Sequence, residues 1–258
     1  MTELVSLSGR SFIVTGAARG IGLAIAGKFK ALGARVAGWD LDLAALQAEP
    51  LFDDRQRADV TSQDETEAAF AASLEALGDI DGIIANAGIN GPTKPLWEYS
   101  LDEWNQVIAV DLTGVFLSVQ PVLRHLRERA ARPEKTPGEQ HRQNGRIIII
   151  SSIGGKEGNP GATPYGAAKA GLIGYAKGLA REVMPLPITV NCIAPAMTET
   201  ELLDGMSADY IADRKQRMPM GRFCTPEEIA AMAAFVASPA CSFTTGQVFD
   251  VSGGRATW

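Results

Sequence analysis

Apolar positions along this chain follow two alternating rhythms. Short runs of β-branched and aliphatic residues, Ser11–Thr15, Ala34–Trp39, Gly82–Ala85, Arg146–Ser151, Ile188–Ile193 and Gln247–Val251, predict strands. Longer stretches between them carry apolar residues at helical spacing. Gly20–Leu32 places Ile21, Ile25 and Phe29 at steps of four and ends at Gly33, suited to the left-handed turn that closes a helix. Further helices are predicted over Asp64–Leu77, stopped by Gly78, over Leu101 to about Ala131 with a bend near Gly114, over Thr163–Met184 and over Pro226–Ala237. The run from Arg146 to Ser151 is apolar at successive positions, as a strand covered on both faces must be. Such alternation predicts an α/β fold, a doubly wound parallel sheet with helices on both faces. No repeat or linker divides residues 1–258, so a single domain is expected.

Two segments break the rhythm. Arg132–Asn144 is polar with two prolines and reads as a surface loop. Residues 198–219 join a strand to a helix, with Met197, Met206, Met218 and Met220 in or beside them. Those methionines suit either core packing or a substrate lid.

Composition narrows the function. The 258 residues carry 24 basic and 30 acidic side chains, a net charge of −6, with no Lys/Arg-rich run, which argues against nucleic acid as a partner. No apolar stretch is read as approaching the ~20 residues that span a bilayer, and Met1–Ser6 lacks the pattern of a signal peptide. Three cysteines and two histidines, His125 and His141, give neither a disulfide framework nor the makings of a zinc site. A cytoplasmic protein acting on a small molecule is expected.

The first strand runs into Thr15-Gly-Ala-Ala-Arg-Gly-Ile-Gly22, which opens a helix. Glycines at 16, 20 and 22 let backbone N–H groups and a helix N-terminus approach a pyrophosphate. Asp40 closes the second strand 24 residues after Gly16, where a carboxylate can accept hydrogen bonds from ribose hydroxyls and repel a 2′-phosphate. That favours NAD over NADP, while Arg19 inside the loop pulls toward the phosphorylated form. Asp40 could instead cap the following helix, a role that Asp42 fills at least as well.

Tyr165 and Lys169 stand four residues apart on one helix face, where the ammonium favours the phenolate and makes the phenol a usable acid/base. Ser151 and Ser152 end the most apolar strand, at the carboxyl end where open parallel sheets bind ligands. A hydroxyl there can hold a substrate oxygen. Helix capping for the serines and an exposed Tyr/Lys pair is the alternative.

Together with Asp59-Val60, Asn86-Ala-Gly88 and Asn191-x-x-x-Pro195, these motifs occur in the order and spacing of the classical short-chain dehydrogenases/reductases, which the chain resembles from about Leu7 to Gly254. The resemblance implies a Rossmann-type sheet of about seven strands and hydride transfer between a nicotinamide and a secondary alcohol or ketone. It assigns Ser152, Tyr165 and Lys169 as catalytic. It places the cofactor on Gly16, Arg19, Gly20, Ile21, Gly22, Asp40, Asp59, Val60, Asn86, Ala87, Gly88, Tyr165, Lys169, Pro195, Thr198 and Thr200, and it implies a homotetramer.

Two positions depart from the family pattern. Asp111 stands where an asparagine usually kinks the long helix, and an ionised carboxylate there would hold the charge on Lys169. Ala196 replaces the glycine after Pro195. For the substrate wall we expect Ser152, Tyr165, Ile153, Asn159 and Met197, with Asn90, Trp97, Lys156 and Met206 as further candidates. Lys156 or Arg217 could meet a substrate carboxylate, and Arg255 and Trp258 could reach a neighbouring subunit's site. The segment 155–160 and the chain end are similar to those of relatives acting on sugars or sugar acids, so an NAD-dependent dehydrogenase of a sugar, sugar acid or polyol is expected. The alternatives are an NADPH-dependent reductase of 3-oxoacyl thioesters or other carbonyls, and a non-catalytic nicotinamide-binding sensor. A serine hydrolase would need a G-x-S-x-G elbow, which is absent.

Overall fold

The computed structural model describes residues 5–132, 145–200 and 208–257, with side chains of the last segment from 211 onward. The expectations for His141, Met206, Trp258 and all but the first residue of the 132–144 loop lie outside the described residues.

The chain builds β1 (Ser11–Thr15), α1 (Gly20–Ala31), β2 (Arg35–Asp40), α2 (Leu43–Ala48), β3 (Asp54–Arg57), α3 (Gln63–Leu77) and β4 (Gly82–Ala85). After them come α4 (Leu101–Ile108), a π-helical turn (Ala109–Thr113), α5 (Gly114–Ala130), β5 (Gly145–Ile150) and α6 (Gly154–Glu157). The remainder is α7 (Thr163–Glu182), β6 (Ile188–Pro195), α8 (Ala208–Gln216), α9 (Pro226–Ala237) and β7 (Val248–Val251). Seven strands, all paired in parallel, lie in the order β3-β2-β1-β4-β5-β6-β7. The order reverses between β1 and β4, and the crevice beyond their carboxyl ends is where such sheets bind ligands.

Period-two geometry explains the two cores. Along β5, Ile147 and Ile149 point into one cluster with Val115, Val119 and Leu172 of α5 and α7. Ile148 and Ile150 point the other way, onto Ile25 and Phe29 of α1 and Ile229 of α9. Both faces of the sheet are therefore dry, as the unbroken isoleucine run requires.

Four elements were not expected. β3 (Asp-Arg-Gln-Arg) is a polar edge strand, which hydrophobic patterning does not reveal. The six-residue α2 is started by the Asp42 side chain accepting from Ala45 N, α6 falls in a stretch given no element, and α8 falls in the segment read as irregular. The expected bend near Gly114 takes the form of the π-helical turn just before it. By length and composition the stretch 101–130 could cross a membrane, contrary to the sequence expectation. Its apolarity is explained by burial: Val107, Val115, Val119, Val122 and Leu126 are all buried.

At the amino ends of the strands sits a charged network. Arg129 Nη1 donates to Asp79 Oδ2 (3.1 Å), Ile80 O (3.0 Å) and Asp81 Oδ1 (3.0 Å), and Asp81 Oδ2 accepts from Ser11 N (2.8 Å). Asp79 also bonds His125 Nε2 at 2.7 Å. Partial burial opposes ionisation of Asp79, but the His125 hydrogen bond, the Arg129 charge and the Ile80 amide outweigh it and hold the carboxyl at about 2. A carboxyl below its ordinary 3.8 adds stability above that pH and loses it as pH falls toward 2. In urea unfolding between pH 5 and pH 2, the wild type should therefore lose stability more steeply than Asp79→Asn. Parallel curves would show that Asp79 contributes nothing to acid sensitivity.

Candidate active site

The cleft at the switch point encloses about 910 Å³. Its nucleotide side is shaped by glycines that cannot be replaced. Gly16 leaves β1 at φ +63°, and a Cβ there would stand 2.9 Å from Ala87 Cα. A Cβ on Gly22 would lie 2.1 Å from the Gly16 carbonyl oxygen. Asn86 Nδ2 donates to Thr15 O (3.0 Å) and Gly16 O (3.1 Å), while Thr15 Oγ1 accepts from Asn86 N and Ala87 N, both at 3.0 Å. The loop is thus sutured to the segment after β4, with Gly16, Arg19, Gly20 and Ile21 lining the cleft and Gly22 packed beneath them. Such a loop at a helix N-terminus has the shape and the backbone N–H groups to take a pyrophosphate.

Asp40 lines the next part of the cleft; its Oδ2 accepts from Ala18 N and its Oδ1 from Asp42 N, both at 3.0 Å. The capping alternative belongs to Asp42. Asp59, Val60, Asn86, Ala87, Gly88, Pro195, Thr198 and Thr200 also line the cleft. Thr200 lies 3.6 Å from where a Cβ on Gly20 would be, so the chain after β6 crosses the phosphate loop. The methyl of Ala196 joins a small apolar cluster with Ile153, Met218, Phe223 and Ala256, which explains how the departure from glycine is accommodated.

Both serines line the cleft, but their hydroxyls have different partners. Ser151 is buried and its Oγ donates to Lys169 O at 2.8 Å, tying β5 to α7. Ser152 lines the cleft, and its Oγ accepts from Gly154 N at 3.0 Å. A Cβ built on Gly154 would lie 3.4 Å from Ser152 Oγ, from Tyr165 Cε1 and from Asn159 Cβ alike, so these three side chains converge on one place. The Lys169 ammonium stands 5.5 Å from the Tyr165 ring centroid, donates to Ile150 O at 3.2 Å and is only 4% exposed.

Asp111, in the π-helical turn, is fully buried, and its Oδ2 lies 3.4 Å from Lys169 Nζ while its Oδ1 accepts from Ile89 N at 2.7 Å. Burial pushes its pKa up, and the Lys169 charge and the Ile89 amide only partly offset this. Gly88 is the spacer for this pair: a Cβ there would stand 3.1 Å from Lys169 Nζ and 3.3 Å from Asp111 Oδ2.

Ile153, Asn159, Met197 and Asn90 line the cleft as expected; Trp97, Lys156 and Arg217 do not. Trp97 is exposed outside it, Lys156 is bound to Asp250 at 2.7 Å and Arg217 pairs with Asp213 at 2.9 Å. Sequence reading missed Arg214 as a wall residue and placed Arg255 at a neighbour's site, whereas both line this chain's own cleft.

A nucleotide cradle at a sheet switch point, opening onto a Ser/Tyr/Lys set, defines a nicotinamide-dependent oxidoreductase of Rossmann type. Residues 16–256 match the family described as enoyl-(acyl carrier protein) reductase. The chain is 39% identical over 254 residues to the 2-dehydro-3-deoxy-L-rhamnonate dehydrogenase (NAD(+)) of Sphingomonas sp. (strain SKA58), covering 97% of both chains. It is 37% identical to the 3-oxoacyl-(acyl-carrier-protein) reductase of Chlamydia muridarum (strain MoPn / Nigg), over 97% of this chain and 98% of that one. Among solved structures, the 3-ketoacyl-(acyl-carrier-protein) reductase from Brucella melitensis complexed with NADH superposes with a TM-score of 0.88 at 29% identity, covering 98% of this chain and all of that one. The chain belongs to the classical short-chain dehydrogenase/reductase family and is an oxidoreductase acting on CH–OH groups.

The joint between α6 and α7 sets the spacing of Ser152 from Tyr165. A Cβ on Gly155 would lie 2.6 Å from Lys169 C and 2.7 Å from its carbonyl oxygen, backbone atoms that cannot swing aside. Gly155→Ala should lose roughly 1–3 kcal/mol in urea unfolding together with most of its turnover. Wild-type stability and turnover would show that α6 is loosely seated.

Proposed function

We propose that the chain is an NAD-dependent dehydrogenase that oxidises a secondary alcohol on a small polar substrate, a sugar, sugar acid or polyol. The observation that carries this reading is the convergence of Ser152, Tyr165 and Lys169 on one wall of the nucleotide cleft. Bound across the glycine loop and Asp40, with Asp59, Val60, Asn86–Gly88, Pro195, Thr198 and Thr200 along its length, the cofactor supplies a hydride acceptor. Ser152 Oγ holds the substrate oxygen and Tyr165 Oη takes the hydroxyl proton. Lys169 lies beside the Tyr165 ring, where its charge acts on the phenol oxygen, and Asp111, 3.4 Å from the Lys169 ammonium, positions it. The expected lid over 198–219 lies partly outside the described residues, and of its described part Thr198, Thr200 and Arg214 stand at the cleft wall.

The Sphingomonas relative's name, with its sugar acid and NAD(+), supports this substrate and cofactor. The reading also takes the enzyme as a cytoplasmic homotetramer, consistent with exposed Leu101 and Phe116 along α4 and α5. The second reading, an NADPH-dependent 3-oxoacyl reductase, is favoured by exposed Arg19 at the cleft.

Tyr165→Phe should lower kcat by about 100-fold or more while NADH still binds, as followed by its fluorescence. Retention of several per cent of turnover would remove Tyr165 from the reaction. The cofactor choice is tested by Asp40→Ala, which should cut kcat/KM for NAD⁺ by about tenfold or more and raise relative use of NADP⁺. An unmoved NAD⁺/NADP⁺ ratio would favour the second reading.

A further inference from the structure

We propose that Arg255, assisted by Arg214, forms an anion-recognising end of the substrate pocket and selects substrates that carry a carboxylate. This rests on the reading of the cleft as an alcohol dehydrogenase site and names its substrate class. Both arginines line the cleft that holds Ser152, Asn159 and Tyr165. Both adjoin the same apolar cluster: Arg214 follows Ile211 by about one helical turn on α8, and Arg255 precedes Ala256.

Arg255 is held in place. Its Nε donates to Glu157 Oε2 at 3.1 Å, and among the described residues neither of its Nη atoms has a hydrogen-bond partner. Glu157 therefore fixes the guanidinium by one edge and leaves the forked end, which matches a carboxylate, to the pocket. The backbone beneath is anchored by Ala256 N donating to Ser252 Oγ (3.0 Å), Ser252 N to Asp250 Oδ1 (3.0 Å) and Lys156 Nζ to Asp250 Oδ2 (2.7 Å). Among the described residues that line the cleft, the acids Asp40, Asp42 and Asp59 are on its nucleotide side and Arg214 and Arg255 on its substrate side. Lys156 is the counterpart that does not serve: its side chain is 6% exposed and committed to Asp250.

The test compares kcat/KM for a panel of hydroxy acids and their methyl esters in wild type, Arg255→Gln, Arg214→Gln and Glu157→Gln. The wild type should prefer the acids. Arg255→Gln should reduce that acid-over-ester preference by about 30-fold or more, mainly through KM, and the double arginine variant should abolish it. Glu157→Gln, which breaks the same ion pair but leaves the guanidinium, should keep the preference. NADH binding measured in each variant reports that the fold and nucleotide side are intact. The proposal is overturned if esters are used as well as acids by the wild type, or if Arg255→Gln keeps the acid preference. A protein that binds NADH yet oxidises neither acids nor esters would overturn the dehydrogenase reading itself, whereas turnover of esters without acid preference overturns only the role of Arg255.

Discussion

An ammonium group kept in a dry interior next to a phenol is the constraint on which the rest depends. The Lys169 ammonium is held between the Ile150 carbonyl at 3.2 Å and the Asp111 carboxylate at 3.4 Å. The carboxylate is itself penalised by burial, so each charge is tolerable only because of the other. That mutual dependence explains several backbone features at once. The π-helical turn aims Asp111 inward, Gly88 leaves room for the pair, and Ser151 pins the backbone of Lys169 to the central strand.

The same economy of space governs the nucleotide side. Close approach of Gly16 to Ala87 and of Gly22 to Gly16 lets two loops from neighbouring strands share one set of hydrogen bonds through Thr15 and Asn86. A parallel sheet supplies this junction automatically, because β1 and β4 are adjacent in space and their carboxyl ends point the same way. Phosphate-facing and alcohol-facing walls are then fixed by one rigid body of strands.

Much of this was legible in the residues. Five of the predicted helices and six of the seven strands follow from periodicity, and β3 escaped because an edge strand spelled Asp-Arg-Gln-Arg carries no hydrophobic signature. The convergence of Ser152, Tyr165 and Lys169 was readable because each is tied to the end of a strand or to helical spacing. Position in the strand points to Ser152 over Ser151, and Ser151 Oγ is the one committed to the backbone of Lys169. What the sequence hid was long-range pairing. Nothing near Lys156 announces that Asp250, far along the chain, will consume its charge, nor that Arg255 will turn into the cleft beside Glu157. Such pairs depend on tertiary approach, to which local pattern is blind.

The division of labour within the sheet has a consequence for how the molecule is assembled on the ribosome. Most of the loop and strand ends on the nucleotide side of the cleft lie between residues 11 and 90, but Ile25 and Phe29 of α1 are covered only once Ile229 and Ala233 of α9 have been made. The alcohol-facing half waits for β7, whose Asp250 anchors Lys156 and whose pairing with β6 positions the turn at Ala196. A nascent chain of this design therefore needs residues near its carboxyl end before either side of the cleft is supported.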